Sequence, residues 1–131
     1  MNSFGQAASI VAPIEKYFEA LNAHDLDSVV GVFTVDATLM PNEAESAVGI
    51  AEVRAAYAHR FTVFDYDREL HIDDWVADGD VAVVRCHTTG SFTMRRTGTM
   101  IDAISRELFA LQRSNGHWKI RFYMFNRTTP A

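Results

Sequence analysis

The side chain with the most chemical promise in this chain is a glutamate in an apolar setting. Asn115-Gly116 is a two-residue hairpin signal, so the flanking strands can be put in register from the sequence. With Ser114 opposite His117, Arg113 meets Trp118, Leu111 meets Ile120, Phe109 meets Phe122 and Glu107 meets Met124, all on one face. That face is apolar except at Arg113, beside the turn, and at Glu107, at the far end among phenylalanine and methionine. Such a carboxyl is either an acid whose pKa burial has raised or a rim group paired with an arginine. The other face carries Leu108, Tyr123 and Phe125 with Arg106 and Arg121, and its apolar residues suit a two-fold contact between copies of the chain.

Tyr17 is the second candidate: its phenol can donate to a ligand, although it also lies on a regular helical stripe that suits core packing. The five histidines are dispersed. His24 falls in a helix joint, His59 on a polar helix face and His117 beside a turn, and no metal-ligand spacing appears. Across a two-residue Asp78-Gly79 turn, His71 and His87 project from opposite faces, leaving His87 alone as a possible acid or base.

The elements that must position these groups follow from hydrophobic period. Ile14, Tyr17, Phe18 and Leu21 mark an amphipathic helix with Pro13 in its first turn. Leu26, Val29, Val30 and Phe33 mark a shorter one capped by Asp25. Ala37 to Met40 allows a short strand ended by Pro41, and Ile50, Val53, Tyr57 and Phe61 stripe a third helix whose polar side includes Arg60. From Tyr66 onward the pattern is β-rich, broken by turn signals at Asp78-Gly79, Arg95 to Gly98 and Asn115-Gly116. It predicts four long strands near 66–77, 80–94, 99–113 and 117–126. Helices first and strands later give an α+β class with a curved antiparallel sheet. Met40, Tyr57, Phe61, Phe109, Phe122 and Met124 are core positions that can line a cavity inside such a sheet, and Asn126 at the strand end joins that set.

Composition bounds the rest. At 131 residues, 48% hydrophobic and 22% charged, the chain is expected to form one globular domain over residues 1–131. A net charge of −5 and a pI of about 5.4 provide no basic field for nucleic acid or anionic lipid. Cys86 is the only cysteine, which suits a reducing cytoplasm. No signal peptide or membrane span is expected.

The run Tyr17-Phe18-Glu19-Ala20-Leu21-Asn22-Ala23-His24-Asp25-Leu26-Asp27, followed by Val32-Phe33 and Asp36 to Leu39, resembles the opening of ketosteroid isomerase-like and SnoaL-like proteins. Gly49-Ile50 and the closing Gly116-His117-Trp118-Lys119-Ile120 to Asn126 strand are similar to the same nuclear transport factor 2-like superfamily. The resemblance implies a cystatin-like cone: a curved sheet wrapped around three N-terminal helices with an apolar pocket. In its isomerase branch a helix tyrosine and a protonated acid on the sheet stabilise an enolate while an aspartate after the first strand moves the proton. Tyr17 matches the tyrosine and Glu107 the acid, whereas the base position falls on Met40 or Pro41, which argues against steroid isomerisation.

Two functions follow as expectations. One is a cofactor-free isomerase, cyclase or dehydratase acting on an apolar carbonyl metabolite through Glu107 and Tyr17. The other is a non-catalytic ligand-binding or dimerisation module on the same fold. Neither a metal nor a dinucleotide is expected, because the chain carries no motif for either.

Overall fold

A computed structural model of the chain describes residues 3–128. Helix α1 (Ser3–Asn22) and helix α2 (Leu26–Gly31) are followed by strands β1 (Phe33–Met40) and β2 (Ala47–Val48), then helix α3 (Ile50–Val63). Strands β3 (Phe64–Asp78), β4 (Val81–Met94), β5 (Met100–Asp102), β6 (Ser105–Ser114) and β7 (His117–Arg127) complete the chain. The sheet runs β2-β1-β7-β6-β4-β3, with β5 paired to β4 off this path. The architecture is α+β, a curved and unclosed sheet packed on the helices. Among the described residues no helix is long and apolar enough to cross a membrane.

The helical stripe begins earlier than its sequence signal. Ile10 is fully buried, one turn before Ile14, so apolar burial carries α1 through Pro13 despite the lost backbone N–H. Asp25 caps α2 as expected, accepting from the Ser28 N–H at 3.2 Å. The long strand expected at 99–113 is divided in two around Ala103-Ile104. One strand pair departs from the antiparallel expectation: β1 lies parallel to β7, filling the edge that the β6–β7 hairpin leaves open. Asn22, the last residue of α1, binds the backbone of Arg68 in β3 twice, Nδ2 donating to the carbonyl at 2.8 Å and Oδ1 accepting the N–H at 2.9 Å. This double contact ties α1 to the sheet beside the cavity.

Two irregularities decide which side chains face the helices. In β6–β7 the Asn115-Gly116 register holds from Ser114↔His117 to Leu111↔Ile120 and then slips, so that Ala110 pairs with Phe122, Phe109 with Tyr123 and Glu107 with Phe125. Arg121 is the extra residue, held outside the ladder by Asp36, whose carbonyl accepts from Nη1 at 2.7 Å. Beyond this bulge every β7 side chain changes face. Phe122 and Met124, expected inside, are 41% and 42% exposed on the outer face, while Tyr123, expected outside, is 2% exposed. Phe125 also turns inward and packs against the core.

In β3–β4 the turn is Gly79-Asp80 rather than Asp78-Gly79, and a bulge at Asp73 shifts the register again. His71 and His87 therefore pair directly, with rings stacked at 4.7 Å, instead of projecting from opposite faces. A third local constraint lies further along β4. Gly90 adopts φ +102, where a Cβ would stand 2.3 Å from the Asp67 carbonyl oxygen, so only glycine lets the strands approach there.

Candidate functional site

A cavity of about 270 Å³ lies between α1, α3 and the concave side of the sheet. Helix α1 supplies Tyr17, Phe18 and Leu21, and α3 supplies Tyr57 and Arg60. The sheet supplies Phe64, Tyr66 and Arg68 from β3 and Phe92 from β4. Ser105 and Glu107 come from β6 and Tyr123, Phe125 and Arg127 from β7, while Asn42 reaches in from the loop after β1.

Glu107 is 5% exposed and is the only carboxyl among the described residues lining the cavity. Strand alternation places it on the same face as Phe109 and Leu111, both fully buried. Burial disfavours its charged form and raises its pKa from 4.5 to about 7, against the opposing pull of two hydrogen bonds and of Arg68. Tyr123 donates its phenol to Oε2 at 2.6 Å and Thr88 its hydroxyl to Oε1 at 3.1 Å. Thr88 is oriented in turn by Arg68, whose Nη2 donates to its Oγ1 at 3.0 Å and to its carbonyl at 3.1 Å, while Nη1 donates to the Gly90 carbonyl at 2.8 Å. The carboxyl is thus held in one orientation with a pKa at which it can take up or release a proton near neutral pH.

Next to this acid stands a pair of phenols. The Tyr17 and Tyr57 hydroxyls are 2.5 Å apart, both side chains almost fully buried. One hydroxyl must donate to the other, which leaves one phenolic proton of the pair for a cavity ligand. Burial raises both pKa values, Tyr17 to well above the ordinary phenol range, so both stay protonated donors. The Glu107 charge raises Tyr17 further. Cys86, the cross-strand partner of Glu107, has its thiol pushed up by burial and then by the Glu107 charge, so it is no nucleophile.

Of the residues named from sequence, Tyr17, Tyr57 and Glu107 come together around the cavity. Phe61 and Phe109 are buried behind it: Phe61 stacks on His24 at 4.4 Å and Phe109 on Tyr123 at 4.0 Å. Met40 pairs with Met124, so both lie on the outer face while Leu39 takes the inner one. Phe122 joins them there because of the Arg121 bulge. Asn126 is also outside, accepting from Arg106 Nε at 2.6 Å. His87 faces outward too, its Nδ1 2.9 Å from the Asp73 carboxylate. Among the described residues no group of three or more His, Cys, Asp or Glu side chains is placed to hold a metal ion.

Tyr123, expected on the outer face, belongs to the site, and so do Thr88 and the three cavity arginines, which no sequence signal places there. Arg60 falls on the polar side of the α3 stripe, yet its guanidinium lies 5.3 Å above the Phe125 ring. Both phases of β7 alternate apolar residues, Trp118-Ile120-Phe122-Met124 and Tyr123-Phe125, so nothing in the pattern announces the change of phase at Arg121.

The chain as a whole is similar to known proteins. Residues 14–120 match the SnoaL-like domain model. A ketosteroid isomerase-like protein from Erwinia carotovora atroseptica is 32% identical, with a TM-score of 0.90 over 94% of this chain and 96% of that one. A conserved protein from Planctomyces limnophilus superposes with a TM-score of 0.85 at 17% identity, covering 95% of this chain and 98% of that one. A nuclear transport factor 2-like protein with a cystatin-like fold from Novosphingobium aromaticivorans gives 0.75 at 16% identity, covering 98% and 85%. Among curated proteins no sequence match was found. The match over most of its length, on a fold with this cavity, makes the chain a member of the SnoaL-like domain family.

Proposed function

We propose that the cavity binds a small, largely apolar carbonyl compound and moves a proton on it without a cofactor, as an isomerase, cyclase or dehydratase would. The observation that carries this reading is Glu107: one buried carboxyl with a pKa of about 7, oriented by Tyr123 and Thr88, beside a phenol pair with a proton to donate. In its ionised form Glu107 takes the proton α to the carbonyl, and the Tyr17–Tyr57 pair hydrogen-bonds the oxygen on which enolate charge develops. Returning the proton to another carbon, or expelling a β-hydroxyl, completes isomerisation or dehydration with the same carboxyl as acid. The base position at Met40 and Pro41 plays no part, since neither lines the cavity.

Deuterium exchange tests this directly. A panel of cyclic ketones is incubated with the protein in D2O and the α-proton signals are followed by NMR. Exchange above the uncatalysed rate that is lost in Glu107→Gln and reduced in Tyr17→Phe is expected. The absence of protein-dependent exchange across the panel contradicts the catalytic reading.

One observation favours a non-catalytic module: Glu107 stands alone, with no second carboxylate lining the cavity among the described residues. In that reading the same groups hold a ligand without turning it over, and the ketone panel binds but does not exchange. In either reading the outer sheet face serves a homodimer. Its apolar residues are Leu108, Phe122 and Met124, 40–42% exposed on adjacent strands, in place of the Tyr123 and Phe125 expected from sequence.

A further inference from the structure

The cavity carries more positive charge than its own carboxyl can balance. Arg60, Arg68 and Arg127 line it with Glu107 as the only acidic side chain among the described residues, in a chain whose overall charge is −5. Arg68 has its donors engaged by Thr88 and Gly90. Arg127 does not: its Nε is buried and has no hydrogen-bond partner, and its guanidinium lies 5.7 Å from the Phe92 ring centre. Among the described residues none of the three arginines forms an ion pair; those present involve other side chains. A buried guanidinium nitrogen without an acceptor is costly, and an unpaired charge at a cavity wall more so. Asn42, which accepts the Arg127 backbone N–H at 3.2 Å, directs its side chain to the same end.

We propose that the ligand is an apolar, ring-bearing carboxylate whose anionic group is the acceptor that Arg127 lacks. Its ring lies along the aromatic wall of Phe64, Tyr66, Phe92 and Phe125, with the Arg60 guanidinium over Phe125 as a second positive wall. A monoanion fits better than a dianion such as a phosphate monoester, because Glu107 is itself partly ionised near neutral pH and repels further negative charge. This narrows the proposed carbonyl ligand to one that also carries a carboxylate, and it rests on the reading of the cavity as a ligand site.

The test compares 2-naphthoate with 2-naphthamide, of the same shape but uncharged, by isothermal titration calorimetry. The carboxylate is expected to bind about tenfold or more tightly than the amide, as a charged hydrogen bond implies. That advantage should collapse in Arg127→Gln and persist in Arg127→Lys. Should Arg127→Gln fail to fold, the wild-type ratio is read at roughly 50 and 500 mM NaCl, where an ionic contact weakens and a purely apolar one does not. An amide that binds as well as the acid, or an advantage that survives Arg127→Gln, overturns the proposal while leaving a neutral-ligand cavity intact. Failure of both probes to bind at millimolar concentration also overturns it, and the deuterium-exchange experiment then decides the wider reading on its own.

Discussion

The Tyr123 phenol reaches Oε2 of Glu107 at 2.6 Å although the two are not cross-strand partners: Tyr123 stands opposite Phe109, and Glu107 opposite Phe125. This diagonal contact exists because the Arg121 bulge turns Tyr123 into the core. The hydroxyl favours the charged carboxylate, so its removal by Tyr123→Phe raises the Glu107 pKa further. The substitution is expected to cost about 1–3 kcal/mol. Urea unfolding should show the larger cost at pH 8, where Glu107 is ionised, and the smaller at pH 5. A cost independent of pH would mean that the hydroxyl serves packing alone.

The raised pKa also has a stability consequence. The folded protein holds the Glu107 proton up to about pH 7, whereas the unfolded chain releases it near 4.5. The favourable contribution is therefore complete below 4.5 and is lost as pH rises toward 7, by about 3 kcal/mol at about 1.4 kcal/mol per pH unit. Glu107→Gln has no such loss. It should gain stability relative to the wild type between pH 5 and pH 8, measured as the difference of two unfolding curves at each pH, and a constant difference would contradict the burial argument.

Much of the fold was legible because it rests on local signals. The stripes of α1 and α3, the Asp25 cap and the Asn115-Gly116 turn were visible as residue types at fixed spacing. The inward position of Glu107 was also legible, since it lies on β6 and a slip in the partner strand does not change its own alternation. Most of what failed lay across the two bulges. Tyr123 and Phe125 exchanged faces with Phe122 and Met124 because Arg121 leaves the ladder to bind Asp36, a residue 85 positions away along the chain. His71 and His87 met because Asp73 bulges. The cavity arginines were hidden for another reason: arginine stems bury easily, and their inward course depends on tertiary neighbours such as Phe125 and Phe92.

The outer face formed by Leu108, Phe122 and Met124 gives the homodimer a direct test. Phe122→Glu places a carboxylate beside its two-fold mate, where desolvation and repulsion oppose the contact. Sedimentation at micromolar concentration should show a dimer for the wild type and a monomer for Phe122→Glu. A monomeric wild type would leave Leu108, Phe122 and Met124 as ordinary exposed surface.

The acid at the centre of the cavity can be measured without knowing the ligand. In protein labelled with 13C at glutamate side chains, the Glu107 carboxyl signal, assigned by its absence in Glu107→Gln, is followed from pH 3 to pH 10. A midpoint of about 7, well above the ordinary glutamate value of 4.5, is expected. A midpoint at or below 4.5 would show a carboxylate that is already ionised in the fold, and would remove Glu107 from any role as an acid.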